Sequence, residues 1–193
     1  IMFTLGIILH GYPLAYANAV KGAARQSGSM ILQYPLYGGI MGMIGGFVPW
    51  IAYWAMLGSV SFHTAVLVAF GLAAAVFLVG LRHGVKILEL GTMAVFAALV
   101  AVTFLGSDAF LERWMQPLSN AGLFTIALVS VVIGKPFTLQ YAEDAVTPEV
   151  AAGPGFRYLN SVITWIWVGA FGIMTASSTI PPIVQGDATF RDG

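Results

Sequence analysis

Few side chains in this 193-residue chain can do chemistry, because only 8% of it is charged. The densest polar set inside an uncharged surrounding is Arg25, Gln33, Tyr34 and Tyr37. A guanidinium presents a rigid fork of donors that matches the two oxygens of a carboxylate. An amide and two phenols nearby would complete a ring of donors, so these four are candidate binding residues for a small anion. A plainer role is also open to Arg25: its stem lies along apolar surface and its head rests on lipid phosphate. Residue physics alone ranks that role first.

The remaining reactive types give less. His10, His63 and His83 lack metal-ligand spacing and read as interfacial histidines. Glu143, Asp144 and Glu149 form a small acidic cluster that reads as a solvated loop. Ser161, Thr164, Thr175, Ser177, Ser178 and Thr179 are hydroxyls of the kind that bond a neighbouring helix or the carbonyl one turn back. Cysteine is absent, which removes disulfides and thiolate chemistry. No nucleophile elbow, zinc-protease, P-loop or dinucleotide fingerprint occurs. The chain thus reads as no enzyme, with no cofactor and no metal. Eight positive and eight negative charges without a basic cluster give no nucleic-acid partner.

The elements that must position these residues are set by where charge is missing. No Asp, Glu, Lys or Arg occurs in 1–20, 26–81, 90–107, 114–134 or 158–186, and 59% of the chain is hydrophobic. A bilayer crossing needs about 20 mostly apolar residues. The fold class is therefore all-α, a multi-pass helical membrane protein with about five to six membrane segments. Spans are expected at 65–81, from about 87 to 106, at 121–134 and from about 158 to 180. A polar connection is expected over 107–120, a long polar loop over 135–157, and a stop at Pro181-Pro182. Glu89, near a span end, is the one intramembrane ionisable candidate. The opening apolar stretch, Ile1 to Leu9, reads as a partial crossing with no signal peptide before it.

One segment departs from this pattern. Residues 29–46 hold Pro35 and then Gly38, Gly39, Gly42, Gly45 and Gly46. Broken backbone at membrane depth requires protein or a water-filled cavity beside it. The segment reads either as a Pro/Gly-broken or re-entrant element or as a kinked crossing helix. Gly38, Gly42 and Gly46 recur every fourth residue, a helix-packing face that admits a close neighbour, whether a second copy or another protein. Upstream, 14–28 reads as a short helix at the membrane surface, with Lys21 and Arg25 on one face. Cation placement then puts Lys21, Arg25, Arg82, Lys86, Lys135 and Arg157 on the cytoplasmic side and Arg113 and Arg191 outside, with the C-terminus outside.

The stretch 5–44 resembles the bacterial short-chain fatty acid transporter family. Leu9-His10, Pro13, Ala15-Tyr16, Ala23-Ala24-Arg25, Gln33, Pro35, Tyr37 and Gly39-Ile40 carry the likeness. The resemblance implies a multi-pass carrier in the bacterial cytoplasmic (inner) membrane. Its substrate would be a small carboxylate such as acetoacetate or butyrate, coupled to H⁺ or Na⁺. Residues 47–193, most clearly GKPFTLQYAEDAVTPEV at 134–150, resemble small bacterial integral membrane proteins with no assigned role. The chain accordingly divides into a carrier-like segment, 1–46, and a helical membrane bundle, 47–193. Two functions are expected to compete: a partial or divergent transporter of short-chain monocarboxylates, and a non-catalytic or structural membrane subunit held by partner helices in a homo- or hetero-oligomer.

Overall fold

The computed structural model describes residues 42–191, together with positions 14, 15, 18 and 21. These four positions are helical, and Leu14, Asn18 and Lys21 are exposed. The helices that follow are α1 (42–56), α2 (Phe62–His83), α3 (Ile87–Leu105), α4 (Asp108–Val132), α5 (Phe137–Glu143), α6 (Pro148–Ala151) and α7 (Pro154–Arg191). No strand occurs among the described residues. Four helices are long and apolar enough to cross a membrane: α2, α3, α4 and the Pro154–Val184 part of α7. The architecture is the all-α, multi-pass one the missing charge requires. The described crossings are slightly fewer than the five to six expected.

Three expectations need correction. Residues 107–120 are not a connection, since α4 starts at Asp108 and runs unbroken through Pro117. The Ser107 hydroxyl accepts the Phe110 N–H at 3.4 Å and so caps the helix start. Asp108 then sits in the first turn, where the positive end of the helix dipole favours a carboxylate. Pro181-Pro182 does not stop the last helix, because α7 continues to Arg191. Residues 135–157 are not one long loop: Phe137–Glu143 and Pro148–Ala151 are helical, and Phe137, Thr138, Leu139, Tyr141 and Ala142 are buried, while Asp144 and Glu149 are exposed. The Pro/Gly-broken reading of 29–46 falls mostly outside the described residues. From 42 onward the chain is helical, and that helix runs across position 46, so the division drawn there is one of resemblance alone.

Hydrogen bonds fix the two ends of the bundle. His63 near the start of α2 meets the Thr103 carbonyl near the end of α3 at 2.8 Å, so this pair is antiparallel. Asn120 of α4 donates to Ser178 of α7 at 3.1 Å, and Arg113 donates to the Pro182 carbonyl, so that pair is antiparallel too. At the opposite end Lys86 pairs with Asp144 at 2.5 Å, and Arg157 lies 3.7 Å from Glu143. Arg82, Lys86, Lys135 and Arg157 therefore gather at one end, while Arg113 lies toward the other.

The core is built where helices can approach. Lipid is as apolar as leucine, so helices associate in it through van der Waals packing and small residues. A Cβ built on Gly91 of α3 would lie 2.6 Å from Ile126 of α4, and one on Gly122 of α4 would lie 2.5 Å from Val95 of α3. Each helix thus offers a glycine to the other's branched side chain four residues along, in antiparallel register. Gly172 of α7 receives Phe124 in the same way. Across from this seam, Trp50 of α1 is fully buried and stacks near Phe96 of α3 at 4.8 Å. Its indole N–H donates to Thr92 at 2.8 Å. Outward-facing apolar groups such as Leu105, 88% exposed, and Ile173, 70% exposed, are the lipid-facing surface of such a bundle.

The reciprocal seam predicts compensation. Gly122→Ala should lower the melting temperature in detergent, since overpacking costs about 1–3 kcal/mol. Val95→Ala opens the space a new methyl would need. The double variant should then be more stable than the sum of the two single losses, read from a double-mutant cycle of thermal melts. Simple additivity would contradict the contact. Gly71→Ala, with nothing within 4 Å, should not lower the melt and should raise it slightly, since alanine is the better helix former.

Candidate functional site

The segment 134–150 is the most heavily tied part of the chain outside the long helices. The Thr138 hydroxyl donates to the Asn160 carbonyl at 2.9 Å and can then accept from the Thr164 hydroxyl at 2.6 Å, which fixes α5 to α7. The Ser130 hydroxyl accepts the Phe137 N–H at 3.2 Å. The Gln140 carbonyl accepts the Ile87 N–H at 2.9 Å, and its amide donates to the Lys135 carbonyl. Gln140 therefore satisfies one of the orphan donors at the start of α3 from a distant part of the chain. Glu149 opens α6, and its own backbone N–H lowers its pKa below the usual carboxylate value, with Thr147 adding to the effect.

This anchoring holds Tyr141 over Glu89. The Glu89 carboxylate is buried in the first turn of α3, where it accepts the Lys86 N–H at 3.4 Å and faces the Tyr141 hydroxyl at 3.5 Å. Two glycines make the room. A side chain at Gly80 of α2 would collide with the Glu89 carboxylate, and one at Gly46 of α1 with the Tyr141 hydroxyl and, at 3.0 Å, with Leu88. The Lys86 ammonium lies 4.4 Å from the centre of the Tyr141 ring while paired with Asp144. A cavity of about 400 Å³ opens beside these groups, lined also by Gly42, Gly45 and His83. Burial, reinforced by the Glu89 carboxylate, pushes the Tyr141 phenol above its ordinary pKa, so it remains a donor. The cavity thus has a buried carboxylate with a phenol donor beside it, and the Lys86–Asp144 pair near that phenol.

Of the residues singled out by sequence, Arg25, Gln33, Tyr34, Tyr37 and Gly38 lie outside the described residues. Gly42 and Gly46 both face Tyr141, at 3.4 Å for a Cβ on Gly42. His63 bonds the Thr103 carbonyl and meets the Phe104 ring edge-on at 6.2 Å, while His83 is exposed beside the cavity. Among the described residues no group of three His, Cys, Asp or Glu could hold a metal ion. Lys86, Gln140 and Tyr141 were missed. Their signal was the pairing of a basic turn, Arg82 to Lys86, with an acidic pair at 143–144, two connections that the alternation of spans returns to one end. Arg113 was placed in a connection and in fact lies inside α4.

Fold and site together define a multi-pass α-helical membrane protein with one buried carboxylate near the end of a span. Its first quarter carries a family likeness: residues 1–48 match the family model described as short chain fatty acid transporter. No curated protein and no solved structure matches the chain. The matched stretch includes Gly42, Gly45 and Gly46, three of the residues that line the Glu89 cavity.

The raised Tyr141 pKa has a measurable sign. The phenol stays protonated in the folded protein, whereas an unfolded tyrosine ionises near pH 10. Stability is therefore full below that value and falls above it. Above about pH 10 the melting temperature should drop, and Tyr141→Phe should flatten that part of the curve. An unchanged slope would place the hydroxyl in water.

Proposed function

We propose that the protein is a carrier, or part of one, that moves a short-chain monocarboxylate across the bacterial cytoplasmic membrane. One observation carries the reading: the segment that matches the short-chain fatty acid transporter family contributes Gly42, Gly45 and Gly46 to the wall of the Glu89 cavity. Met43 and Phe47, both within the match, are buried in one apolar cluster with Trp50, Phe96, Phe137 and Phe171. The matched segment is thus continuous with the helices that hold the carboxylate. In this reading Arg25, with Gln33, Tyr34 and Tyr37, takes the substrate carboxylate, and Glu89 takes the coupling proton. Two like charges 4 Å apart repel by about 4 kcal/mol at an effective dielectric of 20. An anion entering the cavity therefore favours a protonated Glu89, which links anion and proton movement. Tyr141, Lys86, His83 and Asp144 are the other polar groups around that proton.

Purified protein in liposomes should take up labelled butyrate or acetoacetate, faster with acid outside. Arg25→Ala should abolish uptake, and Glu89→Gln should leave residual uptake that no longer responds to the proton gradient. No uptake above empty liposomes overturns the proposal. The scarcity of buried charge supports a second reading, a membrane subunit that packs against partner helices, since Glu89 is the one buried ionisable group of a span among the described residues. A stoichiometric co-purifying partner without solute flux would favour it.

Orientation is part of the proposal. The end that holds Arg82, Lys86, Lys135 and Arg157 is assigned to the cytoplasm by the positive-inside rule, which puts the C-terminus outside. With Ser107→Cys and Asp144→Cys in intact cells, an impermeant maleimide should label Ser107→Cys and not Asp144→Cys. The reverse pattern inverts the topology.

A further inference from the structure

The geometry points to a second site, at the end of the bundle opposite Glu89: a cleft between α4 and α7 that binds a small oxyanion, carboxylate or phosphate, on the guanidinium of Arg113. The cleft has a volume of about 550 Å³ and is lined by Arg113, Gln116, Asn120, Ser177 and Ser178, with the exposed Glu112 and three prolines. Arg113 is half-buried in the second turn of a membrane-spanning helix. One of its terminal nitrogens donates to the Pro182 carbonyl, while its buried Nε has no hydrogen-bond partner. Among the described residues it has no ion pair, although Lys86 and Arg157 at the other end each have one. An ionisable group inside a span normally faces the bundle interior and finds a partner there. A buried donor left unmade costs about 1–3 kcal/mol, and more when it is charged. A guanidinium lining a polar cleft, with no carboxylate paired to it among the described residues, is a group that a two-oxygen anion suits.

The prolines supply a second, independent observation. Proline has no N–H and so leaves the carbonyl four residues earlier without its helical donor. Pro117 does this to Arg113, and Pro181 and Pro182 do it to Ser177 and Ser178. All three of those residues line the cleft. Irregular backbone in a membrane is tolerated where it borders protein or a water-filled cavity. Spare carbonyls and a guanidinium in one cleft suit a hydrated oxyanion, whose oxygens take the guanidinium while its waters donate to the carbonyls. The inference does not depend on transport, because it concerns equilibrium binding alone.

The full chain in neutral detergent would be titrated with sodium butyrate and with sodium phosphate, and in phosphatidylcholine nanodiscs with added phosphatidylglycerol, with thermal stabilisation and calorimetry as readouts. At least one oxyanion should stabilise the protein saturably. Arg113→Gln should weaken that binding about tenfold or more, the loss expected of one charged hydrogen bond. Arg113→Lys should be intermediate, and Arg157→Gln, at the far end, unchanged. Response to the free anions identifies a solute site; response to phosphatidylglycerol alone identifies a lipid headgroup. If Arg113→Gln does not fold, Asn120→Ala is read in its place and should weaken the same binding. No saturable response to any of the three, or an affinity indifferent to Arg113 or to Asn120, overturns the proposal.

Discussion

The fold rests on close approach between α3 and α4. In lipid there is no water to expel from between two helices, so nothing apolar drives them together as it would in a soluble core. What remains is dispersion, which is steep in distance, and the relief of polar groups. The antiparallel seam of Gly91 against Ile126 and Val95 against Gly122 answers the first need, since each glycine lowers the surface by the height of a side chain just where the other helix raises it. Without that seam α3 would stand away from α4. On its other side α3 carries Phe96 and Thr92, which meet Trp50 of α1.

The second need is met by side chains that bond across elements. Thr138, Gln140 and Tyr141 are three of four consecutive residues on a single short helix, and they reach α7, α3 and the Glu89 carboxylate in turn. A helix of seven residues has little stability of its own. Its order comes from these partners and from Phe137, which meets Phe47 edge-on at 6.3 Å. The same contacts hold Tyr141 in place over the cavity. Position and chemistry are thus bound together: the bonds that fold the segment are the ones that shape the site.

How legible this was in the sequence depends on which signal each element uses. The spans α2 and α3 were plain, because long uncharged runs have no soluble explanation. The start of α4 was hidden, because Asp108, Glu112, Arg113 and Pro117 look like a connection when counted as polar residues. They look like a helix start only when Ser107 is taken as the cap and Asp108 as a dipole partner. Pro181 and Pro182 misled for a related reason. A proline ends an isolated helix, but neighbouring helices, hydroxyls and water can satisfy the carbonyls it frees in a membrane. The burial of 136–142 was invisible because Thr138, Gln140 and the neighbouring Asp144 each have a specific partner 26 to 58 positions away, and composition carries no record of pairing. Glycine was read in the unusual segment, at Gly42 and Gly46, and overlooked inside the plain spans, where Gly91 and Gly122 set the spacing of the bundle.

The placement of charge gives the bundle a polarity that its zero net charge conceals. A carboxylate is buried near one end, beneath an ammonium and a phenol; a guanidinium is half-buried near the other, beside carbonyls freed by proline. Burying either group against lipid is costly, and each sits where the backbone beside it is small or irregular: Gly46 and Gly80 of neighbouring helices at the carboxylate, Pro117 of its own helix and Pro182 of α7 at the guanidinium. A helix bundle that served only as a scaffold could fill both places with leucine and gain packing. The two polar clefts are therefore the features that packing alone does not explain, and they lie on opposite sides of the seam that holds the helices together.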